Sequence, residues 1–128
     1  GLGDVYKRQI SGASIEEVRK ELEKQRMQEI ELLSSVIADS DAAQEAKESA
    51  VNQKTQIAAR MEQEAQIHAI MEAMGVKGAL AVSGAQGVTL LLPTETAQDE
   101  TLRNRLIYAA ASQTGMEEKD IQIILIKK

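Results

Sequence analysis

The pattern of apolar and polar positions first predicts two long helices joined by a short break. Apolar residues recur every three or four positions over residues 15–37, and Ser14 and Glu17 have the spacing of a capping box. Residues 39–41 read Asp-Ser-Asp, which favours a helix end followed by a new helix start. The second helix is expected over residues 42–74. Its early part is predicted to pack on the first helix as an antiparallel hairpin, and its later part on a sheet.

Two short apolar runs follow this helical region and predict a β-hairpin. Gly75 is expected to end the second helix, because glycine readily adopts the left-handed conformation found there. Residues 78–83 and 88–92 are apolar and β-prone, and residues 84–87 between them contain two glycines suited to the positive φ angles of a tight reversal. Pro93 is expected to end the second strand, since proline lacks the N–H group that a sheet ladder uses.

The remaining chain predicts a third helix and a third strand. Thr94 or Thr96 is expected to cap the helix, which extends to Gly115, and residues 121–126 form an apolar, β-branched strand. The order α-α-β-β-α-β requires a right-handed crossover that leaves the second and third strands parallel. We therefore predict an α+β fold, in which an N-terminal helical hairpin or extension precedes a three-stranded sheet with two helices on one face. We prefer a central first strand, which leaves room for hairpin and crossover; a central second strand is the alternative.

Alternation along the strands assigns their side chains to two faces. The face toward the helices is expected to hold Leu80, Val82, Val88, Leu90, Leu92, Ile121, Ile123 and Leu125. The opposite face is expected to hold Ala79, Ala81, Thr89, Leu91, Gln122, Ile124 and Ile126. This second face is too apolar for a plain surface and no further element is available to cover it, so we expect a subunit contact there. The candidate contact residues on it are Leu91, Ile124 and Ile126. On the third helix, Arg103 and Arg105 either pair with a partner's carboxylates or form an ordinary solvated face.

Composition excludes some functions. Aromatic residues make up 2% of the chain, as Tyr6 and Tyr108 only, and the formal net charge is −5. Both features disfavour nucleic acid as a partner, because such sites use stacking rings and cationic surfaces. The chain has no cysteine, and no apolar stretch approaches the ~20 residues of a membrane helix. Residues 1–9 resemble a translated sequencing-adaptor remnant, so the natural N-terminus and any anchor are expected to lie outside this sequence.

No grouping of residues predicts catalysis, a cofactor or a metal site. His68 is the single histidine, and in a chain without cysteine it is expected to be structural or at the surface. Neighbouring carboxylates fall at a helix start and in a turn, where capping and solvation explain them. The tetrads 75–78 and 84–87 have the Gly-x-x-Gly form of a KH loop, but neither is predicted to join two helices. We expect a chain without enzymatic activity.

Several stretches together resemble the soluble domain of the stage III sporulation protein AH family, which belongs to the wider group with the ring-building motif of secretion-system proteins. They are the helix break at residues 36–41, the helix end and strand start over 64–80, the strand over 87–90, the helix over 97–115 and the strand over 121–126. The resemblance covers about residues 16–128. We divide the chain into an N-terminal helix over residues 10–40 and a ring-building-type α-β-β-α-β domain over residues 41–128.

The resemblance implies a non-enzymatic structural subunit of a channel or feeding tube between mother cell and forespore. Such a protein is anchored in the mother-cell membrane, with its domain in the intermembrane space. It forms a ring with copies of itself and binds a forespore-membrane partner of peptidase-like fold, with no cofactor and with membrane contact only through an N-terminal helix missing from this sequence. Two alternatives are a peripheral-stalk subunit of a rotary ATPase, which expects a longer continuous helix, and a KH-like RNA-binding module.

Overall fold

The computed structural model describes residues 14–96 and 99–126. Three helices, one turn of 3-10 helix and three strands lie within them. Their bounds are Ile15–Ala38 for α1, Gln44–Ala73 for α2, Leu80–Gly84 for β1, Gly87–Pro93 for β2, Glu100–Thr114 for α3, Glu118–Asp120 for the 3-10 turn and Ile121–Ile126 for β3. The order and type of these elements confirm the predicted α+β fold.

Local hydrogen bonds set the start of α1 and the turn that follows its end. Ser14 caps α1 by accepting a hydrogen bond from the Glu17 N–H group at 3.1 Å, as the capping-box spacing predicts. In the turn after α1, the Asp39 carboxylate accepts from the Asp41 N–H group at 2.9 Å. The Asp39 side chain thus serves the turn, and α2 begins at Gln44 without a side-chain cap.

The third helix begins later than the sequence predicts. The Asp99 carboxylate accepts a hydrogen bond from the Leu102 N–H group at 3.1 Å and caps α3, so the predicted caps Thr94 and Thr96 lie outside the helix. Gly115 follows the last helical residue at φ 77°, in the left-handed conformation that glycine adopts without strain. The predicted helix end is therefore confirmed.

The strand order is β1-β2-β3, with β2 in the centre. β1 pairs with β2 in the antiparallel direction, and β2 pairs with β3 in the parallel direction, as predicted. The preference for a central first strand is wrong, because β2 is central. Gly87 allows the chain before β3 to approach the start of β2 closely. Its φ angle is 129°, and a Cβ atom at this position would lie 2.0 Å from the Asp120 carbonyl oxygen. Of the two turn glycines, only Gly87 has a positive φ angle. β3 therefore begins directly against the start of β2.

The faces of β1 are the reverse of the prediction. Leu80 stands opposite Leu91, and Val82 stands opposite Thr89, so each pair shares a face of the sheet. Ala79 and Ala81 instead pack with Leu90, α2 and α3. The assignments of β2 hold. A register shift of one residue exchanges the faces of a whole strand, and both faces of β1 are apolar, so alternation alone did not reveal it.

The N-terminal half of α1 covers the second face of the sheet. Its apolar residues form one cluster with that face, consisting of Ile15, Val18, Leu22, Leu80, Val82, Leu91 and Ile126, with Ile124 packed against it. The expectation that no element covers this face is therefore wrong. The sheet lies between α1 on one side and α2 with α3 on the other, because burying each large aliphatic side chain contributes about 1.5–3 kcal/mol.

The far half of the helical hairpin has its own small core. Leu33 of α1 packs against Ala50 and Ile57 of α2, with three partly buried side chains around them. This contact confirms the predicted hairpin. No helix in residues 14–96 or 99–126 is long and apolar enough to cross a membrane.

Candidate protein-interaction surfaces

Side chains from two helices close the outer edge of β1. The Arg19 Nη2 group of α1 donates a hydrogen bond to the Ala79 carbonyl at 3.0 Å. The Ala81 N–H group donates to His68 Nε2 of α2 at 2.9 Å. Alternate residues of an edge strand direct their backbone polar groups outward, where another strand can pair with them. Here side chains already bond the Ala79 carbonyl, just before β1, and the Ala81 N–H group, so a strand that paired along this edge would have to displace them.

A buried ion pair completes this closed edge. The Arg26 guanidinium of α1 contacts both oxygens of Glu64 of α2, with Nη2 to Oε2 at 2.6 Å, and both residues are 6% exposed. Glu64 Oε2 also accepts a hydrogen bond from the Ser83 N–H group at 2.7 Å. The pair joins α1, α2 and β1 at one point. Sequence reasoning missed it, although Arg26 lies where the apolar repeat of α1 would place a core residue.

His68 is a structural residue, as expected from the sequence. Its Nε2 accepts the hydrogen bond from Ala81 and must therefore be unprotonated. Burial lowers the pKa of His68 below its ordinary value, and the nearby Arg19 cation lowers it further, while the Glu64 carboxylate acts in the opposite direction. The neutral imidazole is thus the form that closes the β1 edge.

The outer edge of β3 is open in the part of the chain that the structure describes. β3 pairs with β2 on one side, and no described strand lies on its other side. Both faces of the sheet are incompletely covered at this strand: Gln122 is exposed, Ile123 and Ile124 are half-buried, and Leu125 is 43% exposed. The described sheet can therefore accept a further strand at β3 and not at β1.

The outer side of α3 carries an exposed aromatic side chain. Tyr108 is 67% exposed and stands between two shallow depressions, one lined by Met74 and Arg105, the other by Ser112 and Met116. Tyr108 is one of two aromatic residues in the sequence, and it is not among the contact residues predicted there. An exposed tyrosine near an arginine is a composition typical of protein-binding surfaces.

A groove runs between α1 and α2 above β1. It has a volume of about 440 Å3, and Met27 and Met61, which are 61% and 45% exposed, form part of its walls. Leu22 and Leu80 are also among the lining residues, and Glu23 adds a carboxylate. An apolar groove with methionines is typical of sites that accommodate another protein's side chains.

The five predicted contact residues do not form one surface. Leu91 and Ile126 are 0% and 4% exposed beneath α1, and Ile124 is half-buried at β3. Arg105 is exposed, whereas Arg103 is half-buried and its Nε makes no hydrogen bond to the described residues. A subunit contact through Ile124, Arg103 or Arg105 stays a prediction.

These features define a small α+β domain with three candidate interaction surfaces. They are the open edge of β3, the surface around Tyr108 and the groove between α1 and α2. In residues 14–96 and 99–126, no three His, Cys, Asp or Glu residues are grouped to hold a metal ion. The sequence profile of the family described as "SpoIIIAH-like protein" matches residues 5–123. The chain therefore belongs to the SpoIIIAH-like family, which confirms the resemblance seen in the sequence.

A solved structure agrees with this assignment. A chain of the "Structure of the SpoIIQ-SpoIIIAH pore forming complex" aligns with a TM-score of 0.72 and 19% sequence identity, covering 86% of this chain and 94% of that chain. At this identity the likeness shows the fold. No curated protein matches the sequence.

The break after Ala38 also differs from the continuous helix that a peripheral-stalk subunit would need.

Proposed function

We propose that this chain is a non-enzymatic structural subunit of a sporulation complex that links mother cell and forespore. In this proposal it binds a forespore-membrane protein of peptidase-like fold, associates with its own copies into a ring and so contributes to a channel or feeding tube. Membership of the SpoIIIAH-like family supports the sporulation role. The fold match to a chain of a SpoIIQ-SpoIIIAH complex supports a SpoIIQ-like partner.

The observation that carries the partner-binding part is the open edge of β3. A strand from a partner can pair with the free backbone groups of an edge strand, which supplies affinity, while neighbouring side chains supply specificity. Leu125 is 43% exposed at this edge, and Ile124 lies half-buried on the other face of the same strand. The closed edge of β1 leaves β3 as the position where the described sheet can be extended.

The proposed location is the space between the two membranes, with attachment to the mother-cell membrane by an N-terminal segment outside the present sequence. This part of the proposal rests on the family resemblance. In sporulating cells of the source organism, a fluorescent fusion to the full-length gene product is expected to outline the engulfed forespore. A fusion spread evenly through the mother-cell cytoplasm would contradict the proposed location.

Light scattering tests partner binding directly. The 128-residue chain is mixed with the soluble domain of the SpoIIQ-like protein from the same organism, and a stable complex is expected. Leu125→Asp should weaken binding at least about tenfold, because it places a charge in the contact. Val51→Asp is the matched control, since Val51 is 47% exposed on α2, away from β3.

Each outcome bears on a different part of the proposal. Loss of binding by Leu125→Asp alone, with unchanged thermal unfolding, supports β3 as the binding edge. Equal binding by both variants would move the partner site away from β3. A wild-type chain that forms no complex with the partner would overturn the partner-binding function itself.

A further inference from the structure

We propose that copies of this chain associate head to tail, with Tyr108 of one copy inserted into the groove between α1 and α2 of the next copy. This inference rests on the proposed function in one respect, since it takes ring formation by self-association as its starting point. It adds the two surfaces that meet and the relation between them.

The closed edge of β1 limits how copies can meet. A ring built by continuing one sheet into the next would need β3 of one copy to pair with β1 of its neighbour. The Ala79 carbonyl and the Ala81 and Ser83 N–H groups of that edge are already bonded to side chains of α1 and α2, which a pairing strand would have to displace. Pairing of β3 with β3 would give a twofold contact that stops at two copies. A ring must therefore use surfaces formed by side chains.

Exposed apolar residues show where such surfaces lie. Within the described residues six large apolar side chains are exposed, and they are Met27, Leu32, Val51, Met61, Tyr108 and Leu125. Four belong to the helical hairpin, one to β3 and one to α3. The Tyr108 surface and the groove share no lining residue, so contact between them is heterologous and can repeat from copy to copy.

The two surfaces are complementary in size and chemistry. The groove volume of about 440 Å3 accommodates a tyrosine ring, and the thioethers of Met27 and Met61 make favourable contacts with aromatic rings. Arg105 lies one turn before Tyr108 on the same side of α3. Of the charged residues that line the groove, Arg26 and Glu64 pair with each other, Arg19 pairs with Glu16 at 3.3 Å, and Glu23 adds a further carboxylate. An arginine beside the inserted ring thus meets a carboxylate beside the groove.

The charges of the helices favour the same orientation. α1 carries six acidic and four basic residues, whereas α3 carries one glutamate and two arginines. Contact between α3 of one copy and α1 of the next brings opposite net charges together on the Arg105 side of Tyr108, while Glu117, Glu118 and Lys119 lie on its other side. Contact between two identical α3 surfaces would bring arginines together, and like charges across an interface are unfavourable.

Cysteine crosslinking tests this arrangement cleanly, because the wild-type chain contains no cysteine. Ser112→Cys, beside Tyr108, and Ala65→Cys, in the groove, are made as separate variants of the whole chain, so that Tyr108 and Met61 are retained. The two variants carry tags of different mass and are mixed under mild oxidation. The mixed dimer is expected to exceed each homodimer at least about fivefold, since a specific contact raises the local concentration of the second thiol. Val51→Cys, exposed on α2 outside the groove, replaces Ala65→Cys in the control.

Charge reversal supplies a second measurement. Arg105→Glu in the Ser112→Cys chain should reduce the mixed product, and Glu23→Arg in the Ala65→Cys chain should restore it. Excess homodimer of the Ser112→Cys chain would show a twofold contact and overturn the proposal, as would a mixed product no greater than that of the Val51 control. A wild-type chain that binds the SpoIIQ-like partner while its cysteine variants fail to crosslink keeps the proposed partner function and rejects this contact alone.

Discussion

Replacing Glu64 by glutamine tests the energetic role of the buried ion pair. The substitution keeps the size and one carbonyl oxygen of the side chain but removes its negative charge. Arg26, which is 6% exposed, would then keep a buried positive charge without a charged partner. Ser83 N–H would compete with Arg26 for the single remaining acceptor oxygen.

Glu64→Gln should lower the free energy of unfolding by about 3 kcal/mol. Removing one partner of a buried pair costs about 3–5 kcal/mol, and the retained amide oxygen places the cost near the lower end. Urea unfolding followed by far-UV circular dichroism measures it. With an m-value of about 2 kcal/mol/M, the midpoint should fall by about 1.5 M.

Glu62→Gln is the matched control, because Glu62 is exposed on the same helix and should change stability by less than about 0.5 kcal/mol. Arg26→Met should lower the free energy of unfolding about as much as Glu64→Gln, since it leaves the buried Glu64 carboxylate without its cation. The double variant Arg26→Met/Glu64→Leu should lose clearly less free energy of unfolding than the sum of the losses of Arg26→Met and Glu64→Leu measured singly. Equal midpoints for Glu64→Gln and Glu62→Gln, or strict additivity in the double variant, would refute the reasoning.

Three further predictions concern other parts of the fold. Gly87→Ala should cost at least about 3 kcal/mol in urea unfolding, because its Cβ would meet the Asp120 carbonyl oxygen, while Gly84→Ala, with only an ordinary contact at 3.9 Å, should cost less than about 1 kcal/mol. Leu22→Ala should cost about 2–5 kcal/mol by opening a cavity under α1, and a loss below about 1 kcal/mol would argue against that packing. The lowered pKa of His68 means that the unfolded chain binds the proton more tightly, so wild-type stability should rise between its folded pKa and about pH 6.5. His68→Gln should remove this part of the pH dependence, and identical stability-versus-pH curves for the two proteins would contradict it.

The covering of the second face of the sheet was only partly predictable from the strands. The second face of the sheet is apolar in sequence, and the sequence pattern correctly marked it as a face that must be covered. The structure covers Leu91 and Ile126 with α1 of the same chain, not with a second subunit. The apolar stripe of α1 can pack on a sheet as well as on α2, and local periodicity does not distinguish these partners.

The sequence by itself determined the elements, their order and most of their ends. Caps such as Ser14 and the left-handed Gly115 act within about one helical turn, so their effects can be seen locally. The crossover between parallel strands likewise follows from a general rule of chain connection.

Only the tertiary structure decided the strand order, the faces of β1 and the closure of its edge. Arg26 and Glu64 are 38 residues apart, and Arg19 and Ala79 are 60 residues apart, so no local pattern reports their contacts. Both faces of β1 are apolar, and its register therefore depends on which helix packs on each side. Burial of large apolar side chains by all three helices at once selects the arrangement, and the polar groups at the β1 edge are then satisfied by side chains from α1 and α2.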